Sequence, residues 1–112
     1  MDAAGPHAQV LVVEDEPEAG ALLCRVLAGF GHSGLLAANA HEAMQRMLSR
    51  PFSVVLSDIC MPGIDGLELT RWTKERFPFT EVVLMTGHSS METAVRAMQL
   101  GACDYLIKPL RD

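Results

Sequence analysis

Strict alternation of short apolar runs with helix-patterned segments predicts an α/β protein: a flavodoxin-like, doubly wound, five-stranded parallel sheet in the order 2-1-3-4-5. The runs are Val10–Val13, Gly34–Ala38, Phe52–Leu56, Val82–Met85 and Tyr105–Ile107. Several are continuously apolar instead of alternating, as expected of parallel strands covered by helices on both faces. Right-handed crossovers then follow from chain chirality.

After the first run, Ala19, Leu22, Leu23, Val26, Leu27 and Phe30 recur at helical spacing, with Pro17 where a first-turn proline is tolerated and Gly29 or Gly31 as the stop. The second run leads into a helix carrying Ala40, Ala43, Met44, Met47 and Leu48, opened by Asn39 three residues before Glu42. After the third run, Asp65 precedes Glu68 by the same interval and opens the weakest helix, where Leu69 and Trp72 are apolar but Thr70 and Thr73 polar. Following the fourth run, Ser89 and Glu92 mark the start of a helix with Met91, Ala94, Val95 and Met98, stopped by Gly101. The last residue, Asp112, comes five positions after Ile107, so a fifth helix is absent from the sequence. The expected organisation is a tail over 1–7 and a domain over 8–112 cut before its last helix. Such a module is expected to be marginal alone, dimeric through the bare face, or domain-swapped.

At 112 residues there is room for one domain. An apolar fraction of 49% and a charged fraction of 21% exclude collagen-like and disordered classes. Nine basic against fourteen acidic residues give a net charge of −5, which argues against direct nucleic-acid binding by this domain. No apolar stretch approaches the ~20 residues that cross a bilayer, and the first residues lack the basic region of a secretory signal. Cys24, Cys60 and Cys103 show neither metal-ligand nor redox-motif spacing. The expectation is therefore a cytoplasmic, non-membrane protein, with Cys24 and Cys103 as small core hydrophobes.

In open parallel sheets ligands sit beyond the carboxyl ends of the strands. Here those ends carry Glu14, Asp15 and Glu16 after the first strand, Asp58 after the third, Thr86 after the fourth and Lys108 after the fifth. Each alone fits a solvated loop residue; together they describe a site. Packed carboxylates repel unless a cation stands among them, and oxygen ligands without histidine or thiolate favour Mg²⁺. The charges of Glu14, Asp15 and Asp58 are balanced by Mg²⁺ together with Lys108. Such a site can accept a phosphoryl group, with a carboxylate attacking in line.

These residues, with Val10-Leu11-Val12-Val13-Glu14-Asp15-Glu16-Pro17, Asp58-Ile59-Cys60-Met61-Pro62-Gly63-Ile64-Asp65-Gly66, Met85-Thr86-Gly87 and Gly101-Ala102-Cys103-Asp104-Tyr105-Leu106-Ile107-Lys108-Pro109, resemble the receiver domain of two-component response regulators, the CheY-like superfamily. The resemblance spans about residues 8–110 and is nearest to regulators that carry a sigma-54-activating ATPase domain. It implies that Asp58 is the phosphoacceptor, taking its phosphoryl group from a histidine kinase or phosphotransfer protein. It further implies that Asp15, Asp58 and the backbone carbonyl of Cys60 hold Mg²⁺, with Glu14 acting mainly through water. Thr86 and Lys108 would bind the phosphoryl group, and Tyr105 would turn inward when Thr86 moves. Cys60 and His88 would tune the lifetime of the acyl phosphate, and Lys108-Pro109 would carry a cis peptide. The implied output is a switched helix 4/strand 5 surface controlling an output domain, with transcription regulation and a homodimer expected.

Rival readings are a receiver of a hybrid sensor kinase or a standalone regulator. From another class comes a Mg²⁺-dependent aspartyl-phosphate phosphohydrolase, which needs a second acid where this chain has Cys60. A flavin mononucleotide module would have its phosphate repelled by Glu14-Asp15-Glu16. A pseudo-receiver is disfavoured by the intact Asp58, Thr86 and Lys108. The expectation is a self-modifying switch, not a turnover enzyme.

Overall fold

The structure is a computed structural model and describes residues 9–87 and 90–108. Among these, five parallel strands form one sheet in the order β2-β1-β3-β4-β5, as expected from the sequence. The strands are β1 (Gln9–Val13), β2 (Ser33–Ala37), β3 (Val54–Asp58), β4 (Glu81–Thr86) and β5 (Asp104–Ile107). Four helices connect them: α1 (Pro17–Gly29), α2 (Ala40–Ser49), α3 (Gly66–Arg76) and α4 (Met91–Gln99). No helix among the described residues is long and apolar enough to cross a membrane.

Strand alternation divides the core. Leu11, Val13, Val55, Val82 and Leu84 face a cluster built with Ala40, Ala43 and Met47 of α2, Leu69 of α3 and Ala97 of α4. The opposite face lies under α1, where close approach is possible because Gly20 sits against Leu36 and Gly34 against Cys24 and Leu27. Coverage there is incomplete: Val54, Leu56, Val83 and Leu106 are only half-buried, and Leu22 of α1 is exposed.

Helix boundaries follow their caps. Asn39 accepts the Glu42 N–H at 2.8 Å, while the Glu42 carboxylate reaches back to the Ala38 N–H. Asp65 accepts the Glu68 N–H at 2.9 Å. For α4 the expected cap is corrected: Ser90, not Ser89, accepts the Thr93 N–H at 3.1 Å. After α1 the chain turns at Gly31, whose φ of 86° lies in the left-handed region.

The weakest predicted helix, α3, is well buried because Thr70 and Thr73 donate their hydroxyls to the carbonyls of Gly66 and Leu69, each at 2.8 Å. Their methyl groups can then face the core without an unpaired oxygen. The predicted stripe of α4 is corrected in the other direction. Ala97 is its buried residue, whereas Met91, Val95 and Met98 are exposed. A small residue lets the helix approach the sheet closely and leaves the larger apolar side chains outside. On α2, Leu48 is likewise exposed. Of the cysteines assigned to the core, Cys24 is half-buried, but Cys103 is exposed. Cys103 immediately precedes the edge strand, where its N–H pairs with the Val82 carbonyl.

Candidate functional site

Period-two alternation brings the polar residues together. Along β1, Val10 and Val12 lie on the α1 side of the sheet, and continuing the register by one step carries Glu14 there. Val54 and Leu56 do the same for Asp58 on β3, and Leu106 does so for Lys108 beyond β5. Backbone pairing extends past the strand ends: the Glu14 N–H donates to the Ala37 carbonyl at 3.0 Å, and that of Lys108 to the Thr86 carbonyl at 2.8 Å.

The Lys108 ammonium bridges two acids, donating to Glu14 Oε1 at 3.0 Å and to Asp58 Oδ2 at 2.8 Å. The other oxygens of those carboxylates are also engaged. Glu14 Oε2 accepts the Glu16 N–H, and Asp58 Oδ1 accepts the Cys60 N–H, both at 3.2 Å. The Glu14 side chain is fully buried, and Asp58 is nearly so. Exposed Asp15 completes a trio in which one oxygen from each of Glu14, Asp15 and Asp58 lies within 4.8 Å of the others.

The electrostatics follow from burial. Desolvation pushes the Glu14 carboxyl above its usual range, against the Lys108 hydrogen bond and the Glu16 N–H, which favour the charged form. Burial alone would lower Lys108. Hydrogen bonds and attraction from Asp58 and Glu14 outweigh it, so the ammonium is held more firmly than usual. Three carboxylates against one lysine leave excess negative charge. The oxygen-only donor set suits a hard cation, so the residues fit Mg²⁺.

Thr86 is buried at the end of β4, the strand paired with β3, and the following residue, Gly87, borders a groove of about 510 Å³ beside Glu14 and Lys108. Tyr105 packs against the core, and its hydroxyl is buried with no hydrogen-bond partner among the described residues. Cys60 is exposed; its contact with Asp58 comes from its backbone. His88 and the Lys108-Pro109 peptide lie outside the described residues.

Two contributors were not singled out from sequence. Ser57 is fully buried and donates its hydroxyl to the Asp58 carbonyl at 2.9 Å. A polar residue inside a buried strand, directly before the acidic one, was the available signal. Gly66 approaches the Asp58 backbone closely, a contact that its place in the Asp65-Gly66 pair does not announce.

A family model described as the response regulator receiver domain matches residues 10–112. The DNA-binding transcriptional regulator NtrC of Escherichia coli K12 is 44% identical over 100 residues, covering 89% of this chain and 21% of that protein. The chain thus spans about a fifth of that curated relative. Among solved structures, the chemotaxis protein CheY4 of Vibrio cholerae superposes with a TM-score of 0.89 at 27% identity, covering 95% of this chain and 90% of that one. A beryllofluoride-activated NtrC4 receiver domain dimer gives 0.87 at 35% identity, covering 92% and 85%.

Proposed function

Because the chain belongs to the receiver-domain family of response regulators, we propose that it is a phosphoryl switch with Asp58 as acceptor and a phosphohistidine on a kinase or phosphotransfer protein as donor. The observation that carries this is the Lys108 ammonium bridging Asp58 and Glu14 beside Asp15. An Asp58 carboxylate oxygen attacks phosphorus in line, the O–P bond forms as the P–N bond breaks, and the imidazole nitrogen leaves with the electron pair. Asp15, Asp58 and the Cys60 carbonyl would hold Mg²⁺, with Glu14 acting through water. Such an ion would supply charge neutralisation on the transferring oxygens. Lys108 pairs with the phosphoryl group, and Thr86 hydrogen-bonds to it.

The switched surface is that of α4 and β5, coupled through Thr86 and Tyr105. Exposed Met91, Val95, Met98 and Ile107 on these elements support an apolar docking face. A homodimer through this domain agrees with the dimeric NtrC4 receiver. An output domain for transcription regulation, elsewhere in a longer protein, agrees with the NtrC match over a fifth of its length. Cys60 and His88 set the phosphoryl lifetime; a Cys60→Asn, His88→Ala pair with an unchanged dephosphorylation rate would remove that assignment.

The test is intact mass after incubation with a small acyl-phosphate donor, with and without Mg²⁺, on this chain and on Asp58→Asn. A single Mg²⁺-dependent, hydroxylamine-labile adduct, absent from the variant, is expected. A folded chain that gains no adduct would overturn the reading in favour of a pseudo-receiver.

A further inference from the structure

Gly66 opens α3 where the helix meets the end of β3. An ideal Cβ on this residue would stand 2.4 Å from the Asp58 carbonyl oxygen, 2.7 Å from the Ile59 Cα and 3.1 Å from the Asp58 carbonyl carbon. All three are backbone atoms, so no rotamer change relieves the contact. Only the loop or the helix can move, by about 1 Å to reach ordinary van der Waals separation. Backbone conformation does not demand glycine here, because the positive-φ glycines are Gly31, Gly63 and Gly101. The requirement is space.

The seat is fastened from both sides. Gly66 donates its N–H to the Ile59 carbonyl at 2.8 Å, pinning the first turn of α3 to the residue after Asp58. The buried Ser57 hydroxyl donates to the Asp58 carbonyl, the same group against which Gly66 lies. Downstream, the Cys60 N–H reaches back to Asp58 Oδ1. The acceptor carboxylate is therefore oriented by a loop whose location depends on a missing side chain.

We infer that Gly66 and Ser57 are positioning residues for the Asp58 carboxylate, holding its backbone where the side chain can meet Lys108 and an incoming phosphoryl group. The inference rests on the acceptor role of Asp58. A displacement of about 1 Å away from the reacting atoms can cost about 100-fold in rate. Gly66→Ala is expected to lose about that factor in phosphorylation by a saturating small acyl-phosphate donor. Ser57→Ala removes one hydrogen bond and is expected to lose about fivefold.

Gly63→Ala is the control. It places a strained residue in the same loop, at a φ of 79°, but its Cβ meets nothing within 4 Å. Its rate should stay within about twofold of wild type. A second readout needs no phosphoryl donor: amide exchange at Cys60, followed by NMR, should accelerate at least about tenfold in Gly66→Ala and remain unchanged in Gly63→Ala. Rates are normalised to the folded fraction from circular dichroism.

A Gly66→Ala chain that folds and phosphorylates like wild type would overturn the inference while the acceptor reading stands. Equal losses in Gly66→Ala and Gly63→Ala would do the same, since general loop strain would then explain both. Should Gly66→Ala fail to fold, Ser57→Ala decides, and an unchanged rate refutes the positioning role. A wild-type chain that takes no phosphoryl group would sink both readings together.

Discussion

Replacing Lys108 by methionine removes the cation from between two carboxylates while keeping an unbranched side chain of similar length. Two charge-assisted hydrogen bonds are lost, at 3.0 Å to Glu14 and 2.8 Å to Asp58, each worth about 1.5–3 kcal/mol. The carboxylates of Glu14, Asp15 and Asp58, within 4.8 Å of one another, then repel unopposed. At 4.8 Å and an effective dielectric of about 20 a pair of carboxylates costs about 3.5 kcal/mol, less for the pairs that include Asp15, which is exposed and screened. Lys108 itself is 27% exposed, so the loss falls at the low end of the ~3–5 kcal/mol for breaking a buried pair. Glu14, already inclined to hold its proton by burial, can also neutralise itself. The net expectation is a destabilisation of about 2–3 kcal/mol, or about 1–1.5 M in the urea midpoint for a slope near 2 kcal/mol/M. The assay is equilibrium urea unfolding in chelator and again in millimolar Mg²⁺. The variant should recover most of its loss in Mg²⁺, because a divalent cation takes over the neutralisation that Lys108 supplies, and wild type should gain less. Equal midpoints without the ion, or equal gains with it, would refute this account of the site's charge balance.

Tyr105→Phe deletes a buried hydroxyl that has no partner among the described residues; the domain should gain about 1 kcal/mol in urea unfolding, and a loss of similar size would show that the oxygen is satisfied. In α3, Thr73→Val should be tolerated within about 0.5 kcal/mol, since the hydroxyl's short bond is to the Leu69 carbonyl of its own helix and its other contact is a weak one to Met47 Sδ at 3.8 Å. By contrast, Thr73→Ser should cost about 1 kcal/mol by deleting a buried methyl group. The Lys108 ammonium is held above its ordinary value of 10.5 by Asp58 and Glu14, against burial. Its folded value exceeds its unfolded one, so its contribution is complete below 10.5 and is lost as pH climbs through the raised value. The stability gap between wild type and Lys108→Met should therefore shrink on the alkaline side in pH-dependent unfolding, and a gap that widens there would contradict the assigned pairing.

Sheet order and the convergence of polar residues were legible because both follow from local rules. Continuous apolar runs such as Val10–Val13 announce buried parallel strands, and the residues after them must collect at one end of the sheet. What sequence could not supply was side-chain facing within a helix. The spacing of Met91, Val95 and Met98 on α4 looks like a core stripe, yet Ala97 is the buried residue and the larger side chains lie outside. Amphipathic period alone does not say which stripe meets the sheet. Thr70 and Thr73 misled in the opposite sense, because a hydroxyl bonded to its own helix is polar in composition and apolar in effect. Close approach is invisible for a related reason. The contact between Gly66 and the Asp58 carbonyl joins residues eight positions apart across a loop, and nothing in the Asp65-Gly66 pair distinguishes a turn from a seat.

If Asp58 is the acceptor, as proposed, the same geometry would let charge at Asp58 be felt as packing elsewhere. Lys108 offsets one of three carboxylate charges, and a divalent cation would bring the sum to zero. Exchanging the Asp58 carboxylate for an acyl phosphate replaces one negative charge by nearly two, so the neutral site becomes anionic by about one charge and draws in further donors. Thr86, buried on the strand beside Asp58 and followed by Gly87, is a hydroxyl donor with freedom in the next residue. Tyr105 sits opposite Leu84 on the neighbouring strand, its ring on the core and its hydroxyl without a partner among the described residues. A ring placed by apolar contact can reorient at low cost when space opens beside it. Shifting such a two-state element from 1:99 to 99:1 needs about 5.5 kcal/mol, within reach of two or three charge-assisted hydrogen bonds in a water-poor pocket. On the proposed function, the energy for switching would have to come from the phosphoryl contacts themselves, and α4 and β5 would need only to be poised to respond.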